Sequence, residues 1–308
     1  MSYHIVTIDA PTCSLSCKNG QLSCKTGEGT NAIPIEDVAA IVITSFSASI
    51  HSCLLLEAAK HGIGLILCES FKPASLLLPA NRSTDTFLTR AQVNLSVPTR
   101  ERLWNRTINA KCANQLALAK LVAGDDSRIP MLETKALGKH PHKEAETARI
   151  YWQIFSKNIA DTNDFKRGRF EGGINPLLNY GYAILLSTIL QKLFAIGIDP
   201  TFGIGHVARE HATPLAYDLM EPFRPCVDWR VAQWVRDHPD EKDWVVEKPF
   251  RKWITAFPVE ETPYLNLSLE LRGVIEGVMR SFRKALTENK TTLYKPWTPP
   301  NSKWAGSW

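Results

Sequence analysis

The chain changes its period. Over roughly its first ninety residues, apolar positions alternate or run in short blocks, the habit of β-strands. Beyond about residue 85 they recur every three or four positions, the habit of helices. A chain divided in this way is expected to keep its strands and helices apart. The predicted class is α+β, with a small N-terminal β-sandwich-like domain over 1–85 and a larger all-helical catalytic domain over 86–308.

The β half carries its own register mark. Asn19-Gly20 is the pair that a two-residue hairpin turn demands, and alternating segments flank it. Such a turn sets Cys17 opposite Leu22 and Leu15 opposite Cys24, with all four on one face. This accounts for the cluster Cys13, Cys17 and Cys24 as small core residues better than a zinc site does. Val38–Ile43 and Ile63–Cys68 read as apolar strands, and Leu76–Pro79 closes the region. Ser49 is placed to cap a short helix over Ile50–His61, ended by Gly62.

Helical periodicity runs from Leu88 to Leu121. Further helices are predicted near 143–157, 176–196 and 260–290, and one begins near Thr213-Pro214. The tail from Tyr294 holds three tryptophans and three prolines, so any docking it does is expected to be through aromatics.

With 308 residues the chain is long enough for one large core or two smaller ones. Its 36 Lys+Arg against 31 Asp+Glu, net +5, permits a nucleic-acid partner without demanding one. The segment Tyr182–Ile198 is apolar but is interrupted by Gln191 and Lys192, so it reads as a buried helix and no membrane partner is expected. Seven cysteines without a CxxC pair, and a start that lacks a basic and apolar leader, point to the cytoplasm.

Three places could carry chemistry. Glu144 falls on the apolar stripe of its helix with Ala148, Tyr151, Trp152 and Phe155, where a carboxylate is unusual; at the edge of that stripe it would sit in water near a favourable helix N-terminus. His206 follows Gly203 and Gly205, which let the backbone approach another element closely; alternatively it is a loop histidine bonded to backbone. Asp218 and Glu221 are spaced to share a helix face, which suits a hard divalent cation; alternatively Glu221 only pairs with Arg224. Histidine with carboxylates fits Mg²⁺ or Mn²⁺ better than structural zinc. If the acids gather without metal, they repel, and Glu221→Gln should leave metal-free stability level or raise it. Lys166, Arg167 and Arg169, before the polar and aromatic run Asn175–Tyr182, could hold DNA phosphates or form a solvated turn. Arg100, Arg102, Arg106 and Lys111 read as further positive charge on a helix face.

Taken together these segments resemble the CRISPR-associated endonuclease/integrase of spacer acquisition, in wording closest to the type II versions. The residues 144–152 match its Glu, small residue, Ala-(Lys/Arg)-x-Tyr-(Trp/Phe) motif, with Thr147 where Ala is usual. Asn175–Ala183 matches its Asn-x-x-Leu-Asn-Tyr-Gly-Tyr-Ala segment, Gly203–His206 its glycine-rich turn, and Asp218–Asp228 its Asp-Leu-Met-Glu-Pro-Phe-Arg-Pro-x-Val-Asp string without a break. The Asn-Gly hairpin, Ile33–Val38 and the Gly62–Cys68 strand resemble it too. The resemblance implies Glu144, His206 and Glu221 as Mg²⁺ or Mn²⁺ ligands, with Asp218 an accessory acid. It further implies double-stranded DNA as substrate, a homodimer, a small ferredoxin-like companion subunit, and attack of a DNA 3′-hydroxyl on a repeat phosphodiester. A non-catalytic DNA-binding scaffold and an unrelated metal-dependent phosphate-ester hydrolase are the rival classes. The chain has no P-loop and no HExxH, and His140-Pro-His142 reads as a solvated loop.

Overall fold

The computed structural model describes residues 4–45, 47–69, 72–77, 86–162, 165–168, 171–206, 213–241, 244–264 and 267–299. Its first part is built of β1 (His4–Ile8), β2 (Thr12–Lys18), β3 (Gln21–Thr26), β4 (Gly29–Pro34), β5 (Val38–Ile43), β6 (Ser47–Ile50), α1 (Ser52–Lys60), β7 (Gly64–Glu69) and β8 (Lys72–Leu77). These strands form two four-stranded sheets, ordered β4-β3-β2-β6 and β1-β5-β7-β8. The hairpin register is the one expected: Leu15 pairs with Cys24 and Cys17 with Leu22. Asn19 and Gly20 both take positive φ, 51° and 72°, as a primed turn requires.

The two sheets and α1 bury one core, which includes Leu15, Cys17 and Leu22 from one sheet and Ile41, Ile43 and Leu65 from the other. The next side chain along β7, Ile66, belongs instead to the helical core. Period-two alternation therefore makes the centre of the β1-β5-β7-β8 sheet a shared wall, buried on both faces, which is why β5 and β7 read as unbroken apolar runs. The helix predicted over 50–61 starts later than expected. Ser49 lies in β6, and His51 occupies the cap position of α1 without a side-chain bond to the helix backbone. Pairing β6 with β2 claims those residues for the sheet.

The remainder contains α2 (Thr86–Val93), α3 (Val97–Val122), α4 (Ile129–Leu137), α5 (Lys143–Ile159), α6 (Asn175–Ala195), α7 (Pro214–Met220), α8 (Arg224–Asp237), α9 (Lys248–Thr255), β9 (Glu261–Tyr264), β10 (Leu267–Glu270) and α10 (Leu271–Thr287). The Leu88–Leu121 periodicity is two helices, because Ser96 caps a new one: its side chain accepts from Thr99 N at 3.4 Å. The expectation of helix throughout 260–290, and with it of an all-helical second part, is corrected by the antiparallel pair β9-β10. The expected domain boundary, after residue 85, directly follows residues 78–85, which lie outside the described residues. Among the described residues no helix is long and apolar enough to cross a membrane.

The core of this part is centred on α6, nearly every residue of which is buried between Leu177 and Leu190. Helix α6 packs on α7, α8 and α10 and reaches β5 and β8 of the shared sheet. Gly181 allows the close approach to α8, since a Cβ there would stand 2.5 Å from Val227 Cγ1. The C-terminal segment docks through aromatics as expected. Tyr294 and Trp297 are buried, and the Trp297 ring stacks on Phe223 at 5.9 Å.

Candidate active site

Helix α3 packs against α5 and against the 3-10 turn Glu221–Phe223 that joins α7 to α8. Glu144 lies in the first turn of α5, where the helix dipole favours a carboxylate, and its side chain is 39% exposed. Thr147, the departure from the family pattern, is fully buried on the inward side of the same helix beside Cys112. Glu221 opens a 3-10 turn, Glu221–Phe223, between α7 and α8. Pro222 and Pro225 each remove a backbone donor there and tighten the helix locally. The Pro222 carbonyl accepts from Asn114 Nδ2 at 2.7 Å, and the same nitrogen also reaches Trp297 O at 3.0 Å. Buried Asn114 thus ties the turn that carries Glu221 both to α3 and to the C-terminal segment.

Between Glu144 and Glu221 lies Lys111 of α3. Its Nζ donates to Glu144 Oε1 at 2.7 Å and stands 2.6 Å from Glu221 Oε2, an ion pair without hydrogen-bond geometry. Arg224 Nε donates to the other oxygen of Glu221, Oε1, at 2.8 Å. Burial opposes ionisation of Glu221, but the charges of Arg224 and Lys111 outweigh it and pull the carboxyl down to about 2. Lys111, expected as one of several surface cations, is only 11% exposed. Burial works against its charge, and Glu221 and Glu144 more than restore it.

His206 is positioned by Asp218. The fully buried Asp218 carboxylate accepts from the backbone N–H groups of Ile204 (2.6 Å), Gly205 (2.9 Å) and His206 (2.9 Å), and Oδ1 also meets the ring Nδ1 at 2.7 Å. The two glycines make this wrap feasible. A Cβ on Gly203 would fall 2.4 Å from His206 O, and one on Gly205 would fall 2.5 Å from the Trp104 ring. The hydrogen bond to Asp218 raises the His206 pKa against the opposing effect of burial. The ring is 27% exposed and borders a cleft of about 290 Å³ with Arg100 and Phe202. Its charge is felt by Glu221.

The fit to a divalent cation rests on this donor set. Two carboxylates and an imidazole oriented by a third carboxylate are the ligands and support that Mg²⁺ or Mn²⁺ favours. Among the described residues, however, no three His, Cys, Asp or Glu side chains are gathered closely enough to form a ready cage. Lys111 stands between Glu144 and Glu221 instead.

Residues whose roles sequence reasoning missed hold the motifs together. Asp228, the last residue of the long acidic motif, accepts from Tyr151 Oη at 2.7 Å and from Tyr182 Oη at 2.5 Å. One buried carboxylate therefore joins the Glu144 motif, the Asn175 motif and its own. Arg224 lies over the Tyr182 ring at 4.7 Å. Burial pushes Asp228 up to about 6, against the pull of the two hydroxyls and nearby arginines. A carboxyl raised on folding holds its proton more tightly in the native state, so its contribution is full below about 4 and is lost as pH rises through about 6. Asp228→Asn is accordingly expected to cost less stability at pH 7 than at pH 4, by up to about 3 kcal/mol. Denaturant titrations at the two pH values check this, and a larger cost at pH 7 would contradict it.

The basic segment is divided. Lys166 is 80% exposed and pairs with Glu171 at 3.1 Å. Arg167 is turned to the protein: Nη1 donates to Asn175 Oδ1 at 2.7 Å, Nη2 to Asn179 Oδ1 at 2.8 Å, and the guanidinium lies 5.1 Å from the Tyr182 ring centre. Arg169 lies outside the described residues.

The profile of the family described as CRISPR associated protein Cas1 matches residues 6–249. A CRISPR-associated endonuclease Cas1 of Neisseria meningitidis serogroup C is 30% identical over 223 residues, 70% of this chain and 71% of its own. A solved casposase bound to integration product shares the fold with a TM-score of 0.77 at 20% identity, over 97% of this chain and 93% of that one. A chain of a Cas6-RT-Cas1–Cas2 complex does so with a TM-score of 0.74 at 14% identity, over 96% of this chain and 36% of that one. The matched span contains Glu144, His206, Asp218 and Glu221, and this chain belongs to the CRISPR-associated Cas1 family.

Proposed function

We propose that this chain is a metal-dependent DNA endonuclease and integrase that inserts new spacers into a CRISPR array. The reaction is attack of a DNA 3′-hydroxyl on a repeat phosphodiester. The observation that carries the reading is the placement of Glu144 and Glu221, distant in sequence, against a single ammonium. Two carboxylates held around one positive charge are what a divalent cation requires, and the glycine turn supplies a histidine whose Nδ1 is held by Asp218.

Glu144, His206 and Glu221 would hold Mg²⁺ or Mn²⁺. A bound ion would polarise the attacked phosphate and favour ionisation of the attacking hydroxyl. The chain's own residues do the rest. Asp218 keeps the 203–206 turn closed and the His206 ring oriented. Asn114 fixes the Glu221 turn. Arg224 holds Glu221 Oε1 and stacks on Tyr182, so the carboxylate presents a fixed edge. Exposed Lys166 is the described member of the basic segment suited to a DNA phosphate.

The relatives support double-stranded DNA as substrate and a Cas2-type partner, since one solved neighbour holds an integration product and another is a Cas1–Cas2 assembly. A homodimer bridged by a small ferredoxin-like subunit, acting in the cytoplasm, completes the proposal. The test is joining of a labelled duplex to a repeat-bearing plasmid with Mn²⁺, beside a gel shift. Joined product from the unaltered chain, with none from Glu144→Gln, is the expected result. DNA binding without joining in any metal would assign the chain to the scaffold class.

A further inference from the structure

We propose that the Lys111 ammonium is the resident counter-cation of the metal position, and that a divalent ion enters by displacing it. The proposal rests on the metal reading above and adds a residue that sets how tightly the ion is held.

The geometry is specific. Lys111 Nζ stands 2.7 Å from Glu144 Oε1 and 2.6 Å from Glu221 Oε2. A divalent ion held by Glu144 and Glu221 would need the place and the negative charge that the ammonium now takes. Ion and ammonium cannot share that space, and their charges repel. One of the two cations around Glu221 must give way, and the structure distinguishes them. Arg224 is fixed from two sides, by its bond to Glu221 Oε1 and by the Tyr182 ring at 4.7 Å. Among the described residues Lys111 is held by the two carboxylates alone, at the end of a flexible four-carbon stem.

The arrangement also explains how two carboxylates stay close in the metal-free chain with Glu221 only 3% exposed. Without Lys111 they would lose the cation that touches both, and a buried undercompensated charge is expensive. The lysine therefore stabilises the metal-free fold and competes with the metal. Every ion that binds must first break this pair, and the apparent affinity is reduced by the free energy of the pair.

The test measures Mn²⁺ binding by calorimetry on the full chain without DNA, comparing the unaltered protein with Lys111→Gln and Lys111→Arg. Removing the charge is expected to tighten Mn²⁺ binding by about tenfold or more in Lys111→Gln. Lys111→Arg keeps the charge and is expected to stay weak. A second measurement needs no variant: acetylation of the unaltered protein by a water-soluble ester, followed by peptide mass spectrometry. Mn²⁺ frees Lys111 from its carboxylates, so its labelling should rise several-fold while that of exposed Lys166 stays constant. Equal Mn²⁺ affinity in all three proteins, or Lys111 labelling unchanged by bound Mn²⁺, overturns the proposal while leaving the metal site standing. No Mn²⁺ binding to any of them overturns both.

Discussion

Glu221→Gln is expected to destabilise the metal-free protein by about 2–4 kcal/mol. The sequence alone suggested the opposite sign, because two or three acids without a cation repel. The structure reverses it through Lys111 and Arg224, one on each oxygen of Glu221. Neutralising Glu221 leaves Lys111 with Glu144 alone and Arg224 without its carboxylate partner, in a region where Glu221 is 3% exposed. The cost carries a pH signature. The carboxyl is held at about 2, below its ordinary 4.5, so its stabilisation is present above about 4.5 and fades as pH falls toward about 2. The gap between the variant and the unaltered protein should be widest near neutral pH and should narrow in acid. Mn²⁺ should stabilise the unaltered protein by mass action, about 2.7 kcal/mol at a hundred times its dissociation constant, and the Gln variant should lose most of that gain. Strand joining should disappear and DNA binding persist, because phosphate contacts elsewhere supply affinity. Denaturant titration at pH 7 and pH 3, with a joining assay, is decisive. A variant as stable as its parent at pH 7 would mean the cations do not compensate Glu221 in solution.

The sequence was most legible where one local pattern sufficed. Asn19-Gly20 set the register of β2 on β3 to the residue, and the helix expected over 176–196 is α6, within one position at each end. Glu144 was visible as chemistry because a carboxylate on an apolar stripe is unusual, and Asp218 and Glu221 because two acids share one helix face. Their partners were not. Lys111 lies on α3 among Arg100, Arg102 and Arg106, and its ion pairs are formed by residues 33 and 110 positions away. Only one signal set it apart: Thr107, Asn114 and Gln115, which flank it at helical spacing, are all buried, so its stripe faces inward. The partners of Arg167 were hidden for the same reason. Its capture by Asn175 and Asn179, one turn apart on α6, becomes visible only once the loop folds back on the helix. The β9-β10 pair was concealed by the strong helical period of α10 beside it, although Leu267-Ser268-Leu269-Glu270 alternates as a strand should.

Asp218→Asn is expected to be the most damaging isosteric change near the site, although Asp218 is not among the proposed ligands. Every acceptor position that its carboxylate uses faces a donor. Oδ2 takes Ile204 N and Gly205 N, and Oδ1 takes His206 N and the His206 ring. An amide in either orientation sets its NH₂ group against two of these. Asp218 is fully buried, so water cannot fill the gap. Losing two charge-assisted bonds and stranding their donors should cost about 3 kcal/mol or more. The damage should concentrate on the turn, because Gly203 and Gly205 impose no shape of their own and the carboxylate is what closes the loop around it. His206 would then lose both its orientation and the hydrogen bond that fixes its tautomer. Loss of such a supporting carboxylate commonly weakens metal affinity about 10–100-fold. Asp218→Asn should therefore weaken Mn²⁺ binding while the Glu144–Lys111–Glu221 array stays intact. Amide exchange at 204–206 should accelerate far more than exchange along α3. Equal protection of the turn in both proteins would show that it closes without Asp218, and the role given to this residue would fall.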